Sequence, residues 1–140
     1  MVWFNSKNEH WELSNFAYSP FELDGRKWTS VEHYYQAQKA IAPAEADAVR
    51  DAPSPMAARQ LGRRVAIRPD WDAVKDDVMA RALRAKFTQH APSRQKLLAT
   101  GDDELHEDAA YDPHWGGQGR DRLGQLLTGL RGELRAAGGS

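Results

Sequence analysis

Apolar residues recur at helical spacing in two long stretches of the chain. The first stretch starts after Asp70 and predicts a buried helix that ends near Gln89. Its apolar positions are Trp71, Val74, Val78, Ala82 and Ala85, with Met79, Leu83 and Phe87 beside them. The second stretch follows a glycine-rich loop and predicts a final helix, ahead of a frayed tail over 138–140. Its apolar face consists of Leu123, Leu126, Leu127, Leu130 and Leu134.

Turn and cap residues divide the rest of the chain into short elements. Asp24-Gly25, between two short runs with large apolar residues, predicts a β-hairpin. Ser54-Pro55 predicts the start of a helix that runs to about Leu61, and Ser93 to Ala99 predicts another helical segment. These elements predict an α+β fold, predominantly helical, as a single domain over residues 1–137 with its few short strands near the N-terminus.

The segment from Trp28 to Lys39 carries unusually many polar side chains for a helix. We predict a helix with Thr29 as its N-cap, since neither Gly nor Pro interrupts the chain before position 43. At helical spacing Glu32, Tyr35 or Gln36, and Lys39 form one stripe, whose large side chains end in polar groups. Buried polar groups are costly unless they are paired, so this concentration predicts a functional site.

Composition narrows the function classes. The 140 residues include no cysteine, which excludes disulfides, thiol catalysis and Cys-ligated metal. No apolar run reaches membrane-spanning length and no signal peptide is evident, so we expect a soluble cytoplasmic protein without a membrane partner. The formal net charge of −1 does not indicate nucleic-acid binding. The five histidines lack metal-site spacing, and neither a metal nor a cofactor is predicted.

Glu32 is the leading catalytic candidate, and it has a structural alternative. Thr29-Ser30-Val31-Glu32 also fits a capping box, in which the carboxylate accepts a hydrogen bond from a backbone amide at the helix end. The two interpretations differ in consequence. Loss of a cap costs about 1 kcal/mol of stability, whereas loss of a general acid or base costs about 10²–10⁴ in rate.

The loop from Asp112 to Gly124 is the second candidate. Gly116, Gly117 and Gly119 precede a helix N-terminus, where bare amides and the helix dipole favour an anion such as phosphate. Arg120 and a second arginine, at 122, would add charge-assisted contacts. A plain flexible loop explains the same residues, because their spacing matches neither a Walker loop nor a dinucleotide fingerprint. Asp112, which precedes a proline, could equally initiate a turn.

Two further groups of residues have both a functional and a structural interpretation. Four arginines lie close together around Gly62 and would suit a phosphate-bearing partner, although such a run is more often a solvated surface (Arg59, Arg63, Arg64 and Arg68). Trp28 and Trp115 could stack on a base, although aromatic residues near turns more often serve packing.

Together these residues resemble the NADAR family from near residue 3 to near residue 135. The resemblance is carried by a central block and by shorter blocks in register on both sides of it. The central block is Glu32-His33-Tyr34-Tyr35-Gln36-Ala37-Gln38-Lys39, and the others are Leu13-Ser14-Asn15-Phe16, Gly25, Trp28, Ser54-Pro55, Gly62-Arg63, Asp70-Trp71, Val74-Lys75, Lys86-Phe87, Thr100-Gly101, Asp112, Trp115-Gly116 and Leu123-Gly124.

The resemblance implies hydrolysis of the C–N bond between a phosphorylated ribose and a nitrogenous base. Two kinds of substrate are implied: ADP-ribose attached to guanine in nucleic acid, and the ribosylamino-pyrimidine intermediates of riboflavin synthesis. ADP-ribosylated DNA is therefore an expected partner. A non-catalytic reader of ADP-ribose or a nucleotide is the alternative, and a nucleic-acid-binding module that uses the arginines from Arg59 to Arg68 is a third.

The resemblance also implies that Glu32, Lys39, Asp112 and Trp115 fall where the family keeps its site, and the chemistry of N-glycoside cleavage suggests the following roles. Glu32 would deprotonate the attacking water, and Asp112 would hold ribose hydroxyls or help protonate the leaving nitrogen. Trp115 would stack on the base or line the ribose, while Asn15 would bind sugar or phosphate. Lys39 allows a different route, in which its amine attacks the ring-opened sugar as a Schiff base. Trp28, Tyr35 and Gln36 complete the expected substrate contacts.

The chain departs from the family in its glycine-rich loop. The loop is shorter than is usual in the family, and Asp121 stands where the family has Asn before the Leu-Gly pair. The added negative charge is expected to disfavour a second phosphate unless Arg120 or Arg122 neutralises it. This departure affects the choice of substrate more than the type of reaction.

Overall fold

The computed structural model describes residues 1–138, and its Cα positions group into two compact units. One unit contains residues 1–17 together with the chain from Phe87 onward, and the other contains Tyr18–Lys86. The two units are described in turn.

The unit Tyr18–Lys86 opens with a β-hairpin. Strands β2 (Phe21–Leu23) and β3 (Arg26–Trp28) pair antiparallel, with Phe21 opposite Trp28. Asp24 and Gly25 connect them with φ angles of 55° and 74°. Positive φ at both central residues is the requirement of a type I′ turn, which Asp-Gly meets at low cost, and the hairpin prediction is confirmed.

Three short helices and the start of a long one complete this unit: α1 (Val31–Ala37), α2 (Pro43–Arg50), α3 (Pro55–Gly62) and α4 (Trp71–Gln89). Helix α1 packs against both α2 and α3. Ser30 caps α1 by accepting a hydrogen bond from the His33 amide, and Ser54 caps α3 in the same way from the Ala57 amide. These caps fix the two helix starts that position the candidate site.

The other unit contains a parallel strand pair and two helices. Strand β1 (Val2–Phe4) pairs with β4 (Leu105–Glu107), and Trp3 lies opposite His106. A 3-10 turn at Trp11–Leu13 packs against α5 (Ala91–Ala99). The final helix, α6 (Arg122–Gly138), packs on β4 and α5.

The fold class and most predicted helices are confirmed. The helix predicted from Asp70 to about Gln89 is α4, the one from Ser54 to about Leu61 is α3, and the final leucine-striped helix is α6. The single domain over 1–137 stays a prediction. Gly138 ends α6, whereas the rest of the predicted frayed tail (139–140) lies outside the described residues.

Four elements differ from the prediction. Strand β4 lies late in the chain, not near the N-terminus, and α2 was not predicted. Helix α5 begins at Ala91 rather than Ser93, because His90 accepts a hydrogen bond from the Ser93 amide and so caps it. Helix α1 is capped by Ser30 instead of Thr29 and ends at Ala37, which leaves Lys39 in the turn that follows. Within residues 1–138 no helix has the length and apolar character needed to cross a bilayer.

Candidate functional site

The carboxylate of Glu32 is buried in the first turn of α1, where only 3% of the residue is exposed. Its Oε2 accepts hydrogen bonds from Gln36 Nε2 at 2.7 Å and from Arg59 Nε at 3.2 Å. The capping-box interpretation of Glu32 is therefore wrong. Ser30 is the cap, and the Glu32 carboxylate interacts with side chains rather than with a backbone amide.

Arg59 supplies the positive charge that the buried carboxylate requires. It lies on α3, and 20% of its side chain is exposed. Isolated buried charges are strongly unfavourable, so an ion pair with hydrogen bonds is the usual way to keep a carboxylate ionised in the interior. Both donors meet at Oε2, and among the described residues no donor reaches Oε1 of Glu32. The catalytic role of Glu32 stays a prediction.

Gln36 lies one helical turn after Glu32 and is 5% exposed. Its Nε2 is used by Glu32, while its Oε1 is buried and makes no hydrogen bond within residues 1–138. The structure thus gives Gln36 a role in orienting Glu32. The predicted contact between Gln36 and the substrate stays a prediction.

Tyr35 and Lys39 form an aromatic and cationic cluster near α1. The Tyr35 ring meets the ring of Trp71 edge to face, with centroids 5.0 Å apart. Lys39 Nζ lies 5.7 Å from the centroid of the same Tyr35 ring, a cation–π distance. The stripe expected for Lys39 is broken because α1 ends first, but the turn keeps its ammonium group next to Tyr35. Their catalytic and binding roles stay predictions.

Trp28 is part of the core. It is 4% exposed, and its indole N–H donates to the carbonyl of Leu23 at 3.0 Å. Its ring meets the Tyr34 ring edge to face at 5.0 Å. The packing interpretation of Trp28 is confirmed, since its ring packs the hairpin on α1. The predicted contact between Trp28 and the substrate stays a prediction.

The four arginines around Gly62 do not form one solvated surface. Arg59 turns inward to Glu32, and Arg68 donates to the carboxylate of Asp70 at 2.6 Å through Nε and at 2.9 Å through Nη2. Arg63 and Arg64 are exposed. Sequence spacing identified the cluster but not the buried ion pair within it.

The amides of the glycine-rich loop are used by the fold. Gly116 N–H donates to the Asp112 carbonyl, Gly117 N–H to the Glu107 carbonyl and Gly119 N–H to the Gly116 carbonyl, at 2.8 to 3.0 Å. A methyl group on Gly117 would lie 2.7 Å from the Trp3 ring. The expectation of bare amides is wrong, because these glycines permit close packing. The predicted contact of Gly116, Gly117 or Gly119 with the substrate stays a prediction. Because their amides already have backbone acceptors, such a contact would depend on the close approach that glycine allows.

Asp112 and Trp115 stabilise the turn that enters this loop. Asp112 Oδ1 accepts the His114 and Trp115 amides at 3.2 and 3.1 Å, so the turn-forming alternative for Asp112 is confirmed. Trp115 is 7% exposed, and its ring meets the His114 ring edge to face. Asn15, in the same unit, is also buried. The substrate roles of Asp112, Trp115 and Asn15 stay predictions.

Asp121 ends the loop with a positive φ of 59° and pairs with His106. His106 Nδ1 lies 2.7 Å from Asp121 Oδ2, and His106 Nε2 lies 3.1 Å from Glu104 Oε1. Burial alone would lower the pKa of His106, but the hydrogen bonds to these two carboxylates raise the pKa above its usual value. Arg120 is exposed, and Arg122 donates to Gln125. Whether either arginine neutralises Asp121 when a phosphate binds stays a prediction.

Three important residues were missed by the sequence analysis: Arg59 as the partner of Glu32, Gly62 beside Gln36, and His106 beside Asp121. Arg59 and Gly62 are three residues apart and share one face of α3. That spacing was a usable signal, but it does not reveal which helix the face meets. His106 had no signal, because β4 is too short to show a period.

Comparison with known proteins assigns the chain to a family. The NADAR domain family model matches residues 2–135. N-glycosidase YbiA of Escherichia coli (strain K12) is 42% identical over 137 residues, which cover 94% of this chain and 86% of that protein. Riboflavin biosynthesis protein VVA0006 of Vibrio vulnificus is 38% identical over 141 residues, which cover 96% of this chain and 38% of that protein.

The fold is similar to a solved structure as well. The NMR structure of the E. coli protein YbiA matches with a TM-score of 0.87 and 40% sequence identity, and the match covers 98% of this chain and 85% of that one. Family model, relatives and fold agree over nearly the whole length, and the chain belongs to the NADAR domain family.

Proposed function

We propose that this protein hydrolyses the N-glycosidic bond between a phosphorylated ribose and a nitrogenous base, with Glu32 as the central catalytic group. The N-glycoside hydrolase class follows from its family and from relatives named N-glycosidases. The observation that carries the role of Glu32 is its buried carboxylate, whose Oε2 is occupied by Gln36 and Arg59 while Oε1 receives no donor from the described residues.

The geometry suits the charge that develops in this reaction. Cleavage of a glycosidic bond passes through an oxocarbenium-like state, which needs a negative charge near the anomeric carbon and a base for the attacking water. Gln36 and Arg59 both donate to Oε2, so the carboxylate is held in one orientation. The charge of Glu32 stabilises the cationic sugar as the C1′–N bond breaks. Oε1 can accept a proton from the water whose oxygen bonds to C1′, and that proton then passes to the departing nitrogen.

Two substrate classes are proposed within this reaction. The names of relatives such as riboflavin biosynthesis protein VVA0006 support a ribosylamino-pyrimidine phosphate. The resemblance to the family supports ADP-ribose on guanine in DNA, and the exposed Arg63 and Arg64, which follow α3, would suit a phosphate backbone. Both substrates present a ribose C1′ bonded to a nitrogen, so the same chemistry serves either.

Replacement of Glu32 tests the proposal. Glu32→Gln keeps the shape and an oxygen acceptor for Arg59, so we expect a folded protein whose rate falls by at least about a hundredfold. Purified protein is incubated with guanine-ADP-ribosylated DNA and, separately, with the ribosylamino-pyrimidine phosphate, and the released base is quantified by chromatography. Glu9→Gln, at a glutamate whose side chain is 85% exposed, is the control and should stay fully active.

Two outcomes would contradict the proposal. A folded Glu32→Gln variant with nearly full activity would remove Glu32 from the chemistry. Wild-type protein that binds ADP-ribose tightly in isothermal titration calorimetry, yet releases no base from either substrate, would instead establish the non-catalytic reader.

A further inference from the structure

Gly62, the last residue of α3, is a glycine for reasons of space. A methyl group on its Cα would lie 2.1 Å from Gln36 Oε1 and 2.9 Å from Gln36 Cβ and Cδ, closer than real contacts allow. Its backbone is helical, a conformation in which alanine is the better residue. The chain therefore forgoes the helix preference of alanine at this position in order to leave room for the side chain of Gln36.

The carboxamide of Gln36 is held from both ends. Nε2 donates to Glu32 Oε2 at 2.7 Å, and Oε1 lies against Gly62 without a hydrogen bond from the described residues. A buried amide oxygen without a donor is unfavourable, and an apolar side chain of the same shape would avoid that cost. The feature of the amide that an apolar side chain cannot replace is the hydrogen bond to Glu32.

We infer that Gly62 is a positioning residue for the hydrolysis, acting through Gln36 on the orientation of the Glu32 carboxylate. This inference rests on the proposed function of Glu32. Gly62 leaves the space in which Gln36 reaches Oε2, and Arg59, three residues earlier on the same face of α3, reaches the same oxygen. One helix thus supplies both the counter-charge and the space that fix Oε2, leaving Oε1 for the reaction.

The test is Gly62→Ala, assayed by base release over a range of pH. The added methyl group displaces the Gln36 amide, and misplacement of a catalytic group by about 1 Å can cost up to about a hundredfold in rate. We expect kcat to fall about ten- to a hundredfold with a much smaller change in KM. The acidic limb of the profile should move to higher pH, because a carboxylate that loses a hydrogen-bond donor is protonated more easily.

A matched control and a double mutant separate positioning from general packing. Gly129→Ala introduces the same methyl group in an exposed turn of α6, where no atom lies within 4 Å, and should change neither kcat nor the pH profile. In a Gln36→Ala background, Gly62→Ala should cause no further loss of kcat, because the two changes act on one interaction.

A folding defect in Gly62→Ala would not prevent the test. Gln36→Met preserves the apolar stem and the approximate volume but removes the donor, so it should shift the acidic limb in the same direction. An unshifted limb in Gln36→Met, or a folded Gly62→Ala variant with wild-type kcat, would overturn the inference. Failure of the proposed function is recognised separately, because it would appear as full activity in Glu32→Gln or no base release by the wild type.

Discussion

A carboxylate with two oxygens can be held and still react if its donors converge on one of them. Glu32 shows this arrangement, since Gln36 and Arg59 both donate to Oε2. Gln36 is a neutral donor that sets orientation, whereas Arg59 adds the charge that offsets burial. Their contributions should therefore differ when each is removed.

Arg59→Met should affect stability and activity together. The substitution keeps the aliphatic stem but leaves Glu32 as a buried charge with a single neutral donor, which we expect to cost up to about 3 kcal/mol. Base release near neutrality should fall about tenfold, because one of the two donors that orient the Glu32 carboxylate is lost. Urea denaturation and the pH profile of base release measure the two effects. Arg63→Met, at an exposed arginine, is the control for the urea measurement alone, and equal stability of the two variants would show that the ion pair is unimportant.

The alternative route through Lys39 makes a distinct prediction. An imine requires a neutral amine, whereas a cation–π contact favours the charged ammonium, and Lys39 Nζ lies 5.7 Å from the centroid of the Tyr35 ring. We therefore expect no adduct at Lys39 when substrate and borohydride are added together, as measured by intact-protein mass spectrometry. An adduct that disappears in Lys39→Arg would establish the lysine as nucleophile and reject water.

The secondary-structure elements that could be predicted from the sequence are those fixed by neighbouring residues. Asp24-Gly25 permits positive φ at two successive positions, so the hairpin was readable, and Ser54-Pro55 combines a cap with a suitable first helical residue. The start of α1 was misplaced by one residue because Thr29 and Ser30 are both good caps. Sequence alone does not show which hydroxyl meets an amide.

Elements that depend on residues far away in the sequence could not be predicted. Strands β1 and β4 have three residues each and are therefore too short to display a period of two. They also pair across about one hundred positions of sequence, so no local signal links them. The prediction of bare amides in the glycine-rich loop was wrong for a related reason. Glycine allows either an exposed amide or a close approach, and only the positions of Trp3 and His106 show that close approach is what Gly117 provides.

In the whole molecule, some residues of the candidate site could be identified from the sequence, whereas others reach the site only through a tertiary contact. Glu32 and Gln36 come from one helix and could be identified from the polar residues of that helix. Arg59 and Gly62 reach them only because α3 packs on α1, a tertiary contact that no spacing encodes. The near-neutral formal charge of −1 likewise conceals local pairs, including the one between His106 and Asp121.

His106 should make the stability of the protein depend on pH. Its imidazole faces two carboxylates, Asp121 and Glu104, and packs against the Trp3 ring at 4.8 Å between centroids. Because these carboxylates raise its pKa in the folded state, the folded state binds the proton more tightly than the unfolded chain. Each pKa unit of that difference contributes about 1.4 kcal/mol, fully present below the unfolded value near 6.5 and lost as pH rises through the folded pKa.

The substitution His106→Gln removes the titrating group but retains hydrogen-bonding capacity toward Asp121. We expect the Tm of the wild type to decline as pH is raised from about 6 to about 9, and this component of the decline to be absent in the variant. Calorimetric scans across that range measure the difference, and NMR titration of the imidazole gives the folded pKa directly. His10→Gln, at a histidine with 33% side-chain exposure, is the control. Parallel Tm curves for wild type and His106→Gln would mean that the paired carboxylates hold no extra proton in the folded state.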